Sequence, residues 1–270
     1  MTEHTANVTE PQIKPLAMVT GASSGIGLEL ARQFAQHGFD LVVNAEDAGL
    51  EAAAVQLRAA GADVITVRAD LRTPEGIQQL WTRVQALGRP LDAAALNAGV
   101  GEGGAFLDTD WARDLEIMQL NVVSTTALLK LVLVEMAARN EGRVLVTSSI
   151  ASTMPGSYQA IYNASKSFVQ SLTEAVQDEL KDSAVTITSL MPGPTDTHFF
   201  ARAHMLATGM GQGPKDDPAD VAEQGFAALM AGERKVVAAS LAVKAQGALN
   251  KVLPDSVKAL GNRVMAKPRD

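Results

Sequence analysis

The feature that most limits how this chain can fold is an alternation. Short apolar runs rich in β-branched residues are each followed by a longer segment whose apolar side chains recur at helical spacing. That order builds βαβ units, because strands joined through a crossover helix lie parallel. The sequence predicts strands over 16–20, 40–44, 63–68, 91–96, 142–147, 184–190 and 234–238. It predicts helices over 25–37, 47–60, 74–87, 111–138, 157–181 and 218–231, with one or two more after Ser240. Pro74 behind Thr73 and Pro218 behind Asp217 each suit a first helical turn with a polar cap before it. The expected fold class is α/β: a doubly wound parallel sheet of about seven strands with helices on both faces.

Composition sets outer limits. With 270 residues and 47% hydrophobic content, one domain can bury a sizeable core. Cysteine is absent, which excludes disulfides and thiolate chemistry, and four scattered histidines show no zinc-like spacing, so no metal site is expected. A net charge of −7 argues against a nucleic-acid partner. Residues 1–15 lack the basic start and apolar centre of a signal peptide and read as a disordered tail. The most apolar helical stretch, Ala127 to Ala138, is broken by Lys130 and Glu135, so no membrane span is expected and the reading is a soluble, cytoplasmic protein.

Two clusters carry chemistry. Directly after the first strand comes Thr20-Gly-Ala-Ser-Ser-Gly25-Ile-Gly27, followed by Ile26, Leu30 and Phe34 on one helical face and Gly38 as a stop. Glycine serves a tight turn there and lets backbone approach a pyrophosphate at the helix N-terminus. The second cluster is Tyr162-Asn-Ala-Ser-Lys166 with Ser149 thirteen positions upstream. Residues four apart share a helix face, so an ammonium can stand beside a phenol and favour phenolate. An isolated Tyr-x-x-x-Lys is common on helices; its meaning here comes from Ser149 and the glycine turn.

These blocks, with Asp70-Leu71, Asn97-Ala-Gly99, Asn121 and Pro192-Gly-Pro-Thr-Asp-Thr197, fall in an order that resembles the short-chain dehydrogenase/reductase family from Leu16 to about Ala239. The resemblance implies a Rossmann-type fold, a dinucleotide-binding and catalytic domain over 16–240 and an NAD(P)-dependent oxidoreductase acting on a carbonyl or secondary alcohol. By the same resemblance, Tyr162 is general acid/base, Lys166 lowers its pKa and binds the nicotinamide ribose, and Ser149 bonds the reacting oxygen. Asn121 supports a water chain to Lys166. Gly21, Ser23, Ser24, Gly25, Ile26 and Gly27 would face the pyrophosphate. Asp70 and Leu71 would flank the adenine, with Asn97, Ala98 and Gly99 beneath. Pro192 and Gly193 would cover the nicotinamide, and Thr195 or Thr197 would touch its amide or the phosphates.

The turn after the second strand, Val43-Asn44-Ala45-Glu46-Asp47, is acidic, and Ser24 stands where NADP-using relatives often carry a basic residue. NAD is therefore favoured over NADP, with Glu46 or Asp47 as ribose ligand. Either acid could instead cap the next helix. Ser148 reads as a neighbour of the reactive hydroxyl, and His198 as packing.

Residues 195–217 read as a mobile lid with Phe199, Phe200, Met205, Leu206 and Met210 as apolar content, which suits a partly apolar substrate. From Arg234 to Asp270 there are eight basic and two acidic residues, against 15 and 28 in the first 233. Leu253, Val257, Leu260 and Val264 suggest that the 241–270 extension holds an amphipathic helix with a charged outer face. Its readings are a helix closing the pocket or meeting another subunit, a solvated tail, or an interfacial membrane contact. The first is preferred. The family resemblance implies a homodimer or homotetramer through helices 111–138 and 157–181. The rival function is a catalytically silent dinucleotide-binding sensor or scaffold.

Overall fold

The computed structural model describes residues 13–238 and 254–267. Of the 1–15 tail reading, residues 1–12 lie outside the described residues, as do Leu253 and the rest of 239–253, but Lys14 and Pro15 are tied to the body: Lys14 Nζ donates to Gly61 O at 2.8 Å and Pro15 O accepts from Asp40 N at 2.8 Å. The chain runs β1 (Leu16–Thr20), α1 (Gly25–Gln36), β2 (Asp40–Ala45), α2 (Gly49–Ala59), β3 (Val64–Arg68), α3 (Pro74–Gln85) and β4 (Ala93–Leu96). It continues through α4 (Trp111–Ile117), α5 (Thr125–Arg139), β5 (Gly142–Thr147), α6 (Ala160–Glu179) and β6 (Val185–Pro192). Then come α7 (Phe199–Arg202), α8 (Gly209–Gln212), α9 (Pro218–Met230), β7 (Lys235–Ala238) and a final helix, α10 (Asp255–Ala266).

The seven strands form one parallel sheet in the order β3-β2-β1-β4-β5-β6-β7. Alternation along each strand divides the core between two faces. Ala17, Val19, Val43 and Leu145 pack with Leu30 and Phe34 of α1, Leu57 of α2 and Phe226 of α9. Leu16, Met18, Val144 and Val146 pack instead with Leu80 and Trp81 of α3, Val132 of α5 and Val169 of α6. Both faces are therefore covered, which explains the near-continuous apolar strands. The two caps read from sequence are formed: the Thr73 hydroxyl accepts from Gly76 N at 3.0 Å, and the Asp217 carboxylate from Ala219 N at 2.8 Å.

Three expectations change. The helix expected over 111–138 is interrupted by a π-helical segment, Met118–Ser124, which shifts the phase of the chain at Asn121. By length and composition Trp111–Arg139 could cross a membrane, but its Leu128, Val132 and Met136 are buried in the core. The segment 195–217 contains α7 and α8, and its ends are tied by a parallel bridge between Thr195 and Asp216. Phe200, Ala203 and Met205 are buried there with Ala266 of α10, so much of the lid's apolar content packs internally. Finally, α10 sits the other way round from the sequence reading. Val257, Leu260 and Val264 are exposed, while the inward face carries Asn262 and Ala266. Asn262 Nδ2 donates to Ser157 O at 2.7 Å. A backbone carbonyl in need of a donor selects the amide there over a branched apolar side chain.

Phe34 anchors one core face, with edge-on contacts to Phe39 and Phe226 at 5.2 and 5.1 Å between ring centroids. Phe34→Ala should lower unfolding free energy by about 3–5 kcal/mol in urea denaturation. A loss below about 1 kcal/mol would mean this face is not close-packed.

Candidate active site

The strand order reverses between β1 and β4, and the site opens at the C-terminal ends of those strands. The rim is cross-linked by side chains. Thr20 Oγ1 accepts from Asn97 N at 2.9 Å and Ala98 N at 3.1 Å, and Thr147 Oγ1 donates to Asn97 Oδ1 at 3.1 Å. β1, β4 and β5 therefore end at a fixed relative height. The glycine turn fits tightly against them. A Cβ on Gly27 would stand 2.1 Å from Gly21 O, and Gly21 itself, at φ +68°, lies against the Ala98 backbone. Thr197 closes over the turn, where a Cβ on Gly25 would stand 2.9 Å from Thr197 Cγ2.

A cavity of about 390 Å³ runs from this turn past Tyr162 to the lid. Gly21, Ser23, Ser24, Gly25, Ile26 and Gly27 line one end, with Glu46, Asp70, Leu71, Asn97, Ala98 and Gly99. Ser149, Tyr162, Lys166, Pro192, Gly193, Thr195 and Thr197 line the middle. Asn121, beneath Gly99, is buried rather than on the cavity wall.

The Ser149 and Tyr162 side chains line the same cavity, with the serine near enough to lower the pKa of the phenol. Ser149 follows β5 and caps a short 3₁₀ turn, its Oγ accepting from Ala151 N at 3.1 Å. Tyr162 lies in the first turn of α6 with its ring 5.2 Å from Phe199 of the lid. One turn on, Lys166 is buried with Nζ donating to Thr147 O at 2.9 Å and lying 6.0 Å from the Tyr162 ring centroid. Ser148 Oγ donates to Lys166 O at 3.3 Å.

Burial governs the titration of this pair. It pushes the Tyr162 phenol above its ordinary value, against a lesser lowering by Ser149, and brings the Lys166 ammonium down to about 8. The expected lowering of the phenol is thus not seen in the protein alone, because desolvation outweighs it. Asn121 donates to Val100 O at 2.9 Å and Ser165 Oγ at 3.0 Å, and accepts from Val100 N at 3.0 Å. Both amide hydrogens are spent. A Cβ on Gly99 would lie 3.2 Å from Asn121 Oδ1 and 3.3 Å from Lys166 Nζ, so the two groups flank one backbone position.

At the other end, Asp47 accepts from Gly49 N at 2.8 Å and Ser23 Oγ at 2.7 Å, the capping role left open by the sequence. Glu46 is paired with Arg72, which also reaches Asp70 Oδ1 at 2.9 Å. Arg72 holds the Asp70 carboxyl below its ordinary value. Sequence reasoning passed over Arg72, although its place two residues after Asp70 was the available signal. It also missed Met154, Gln159 and, from α10, Asn262 and Met265 on the cavity wall. His198 is exposed. Among the described residues no group of three His, Asp or Glu is placed to hold a metal ion.

Comparison with known proteins identifies the family and the fold. A family model described as short chain dehydrogenase matches residues 15–205. Oxidoreductase UcpA of Salmonella typhimurium (strain LT2) is 32% identical over 209 residues, covering 76% of each chain. A short-chain dehydrogenase/reductase from Burkholderia phymatum, solved in complex with NAD, matches with a TM-score of 0.80 at 25% identity, over 95% of this chain and 97% of its own. One from Sphingobium yanoikuyae, in complex with NADPH, gives 0.79 at 25% identity, over 95% and 99%. The chain belongs to the short-chain dehydrogenase/reductase family and is an oxidoreductase.

The buried ammonium has a consequence for stability. Folding brings Lys166 from 10.5 to about 8, so between those values the unfolded chain holds more protons and stability from this group rises with pH. Urea titrations of the cofactor-free protein should show wild type gaining on Lys166→Met across that window. A pH-independent difference would mean that the ammonium is not desolvated.

Proposed function

We propose that the protein interconverts a carbonyl and a secondary alcohol by hydride transfer with a nicotinamide dinucleotide, using Tyr162 as general acid/base. The observation that carries this reading is the meeting of Ser149, Tyr162 and Lys166 on the wall of the same cavity as the glycine turn, with Lys166 Nζ 6.0 Å from the Tyr162 ring centroid. The turn suits a pyrophosphate: Gly21 and Gly25 have positive φ, and no side chain fits at Gly27. Bound there, the dinucleotide would supply or accept the hydride.

In the reductive direction Tyr162 gives its proton to the carbonyl oxygen, and in reverse it removes it. Ser149 donates a hydrogen bond to the same oxygen as charge develops. Lys166, whose ammonium burial brings down to about 8, bonds the nicotinamide ribose and replaces the proton that Tyr162 loses. Asn121 keeps the Gly99–Val100 backbone beside Lys166, and the second lone pair of its Oδ1 serves the water chain. Pro192, Gly193, Thr195 and Thr197 cover the nicotinamide half. Glu46 reads the adenosine ribose, which favours NAD, while Asp70 and Leu71 flank the adenine. Phe199, Met210, Met154 and Met265 make the remaining wall apolar, in keeping with a partly apolar substrate closed in by the lid and α10. A silent sensor would have no use for the intact Ser149, Tyr162 and Lys166 set.

Oligomerisation fits the same reading. Trp111, Val123, Val134 and Phe168 are exposed on α4 to α6, the helices expected to pair between subunits.

With a panel of ketones and alcohols, nicotinamide absorbance should change for wild type. Tyr162→Phe should lose at least about 10²-fold in kcat while still binding NADH in fluorescence titration. Activity persisting in that variant would remove Tyr162 as the acid/base. Light scattering should give a dimer or tetramer, and Val134→Glu with Phe168→Glu should shift it towards monomer. An unshifted mass would place the subunit contact elsewhere.

A further inference from the structure

We infer that Arg72 forms a latent phosphate site behind Glu46, so that cofactor choice in this chain turns on one carboxylate covering an arginine already in place. The inference rests on the reading of the cavity as a nicotinamide-dinucleotide site. Glu46 and Asp70 line that cavity. Arg72 stands behind them and binds both: Nε donates to Asp70 Oδ1 at 2.9 Å, and Nη2 to Glu46 Oε2. Its Nη1 faces Glu116 Oε2 at 3.5 Å. Asp70 Oδ1 also accepts from the Arg72 backbone N at 2.9 Å, so the turn fixes where the guanidinium starts. A second cation is close. Arg68, at the end of β3, donates from Nε to the Glu46 carbonyl at 3.1 Å.

Glu116 is shared with Arg113 at 2.6 Å, so the charges that a ligand meets on the cavity wall here are those of Glu46 and Asp70. A ribose bearing free hydroxyls can donate to Glu46, whereas a 2′-phosphate there would meet a like charge. If the Glu46 charge is removed, Arg72 keeps at most a neutral amide acceptor on that side of its fork, which a phosphate can displace, while Asp70 still holds the other. The N–H groups then point at the place where the carboxylate was, beside Arg68. A planar fork of this kind matches phosphate oxygens and binds them by charge-assisted hydrogen bonds. The ordinary route to such a site is to introduce a basic residue. Here the cation comes from the turn after β3, and only the acid has to go. In the native chain, Arg72 is a positioning residue that sets Glu46 and Asp70 against the adenosine half.

Calorimetric titration with AMP, adenosine 2′,5′-bisphosphate and NADH tests this without relying on turnover. Wild type is expected to bind NADH and to prefer AMP to the bisphosphate. Glu46→Gln should tighten the bisphosphate by about tenfold or more, the worth of a hydrogen bond to a charged group. Glu46→Gln with Arg72→Ala should lose that gain, and Glu46→Gln with Arg72→Lys, a point charge without the fork, should keep only part of it. Cooperative melting checks that each variant is folded. No gain in Glu46→Gln, or a gain that survives both Arg72 replacements, would overturn the inference while leaving the cofactor reading intact. A wild type that binds neither NADH nor NADPH would overturn both.

Discussion

A parallel sheet wound outward in two directions from β1 leaves one place that no crossover helix covers, the cleft above the C-terminal ends of β1 and β4. The remaining features of the site depend on that gap. Side chains and turns that carry chemistry reach it from strand ends, and they keep their places because Thr20, Asn97 and Thr147 lock three strands together. Backbone can come close to backbone there only where side chains are missing, which is why Gly21 and Gly27 meet at distances that exclude a Cβ.

The reactive groups are held in a desolvated setting that opposes charge on each of them. Burial raises the phenol of Tyr162 and lowers the ammonium of Lys166. A phenol and an amine drawn toward each other in this way exchange protons more readily than either would in water. The ammonium is kept in position by Thr147 O at 2.9 Å, so its place is set by the end of β5 as much as by its helix. The π-helical segment has a comparable effect on Asn121, whose amide saturates the backbone of Val100 next to the same ammonium.

What was legible in the sequence follows from the range of the interactions. Strands declared themselves through β-branched apolar runs, helices through four-residue recurrence, and first turns through Thr73-Pro74 and Asp217-Pro218. The glycine turn and the Tyr162–Lys166 pair were legible because each depends on spacing along the chain. Features set by distant partners were not. Whether Glu46 or Asp47 caps α2 is decided by Ser23 in the glycine turn, Gly49 at the start of α2 and Arg72 in the turn after β3. The outward turn of Val257, Leu260 and Val264 depends on a carbonyl at Ser157, about a hundred residues earlier. Periodicity located that apolar stripe but carried no information about which side of the helix the rest of the protein would take. The interruption of the long helix at Asn121 likewise leaves no mark in composition.

The ionisation of Tyr162 itself tests the central claim most directly. The chain has only two tyrosines, so the tyrosinate absorbance of wild type less that of Tyr162→Phe reports this phenol. Free protein should titrate above the ordinary value of 10.0. With oxidised dinucleotide bound, whose positive ring would lie beside the phenol and Lys166, the transition should move to lower pH. A titration unchanged by the dinucleotide would contradict the placing of Tyr162 as the acid/base of the reaction.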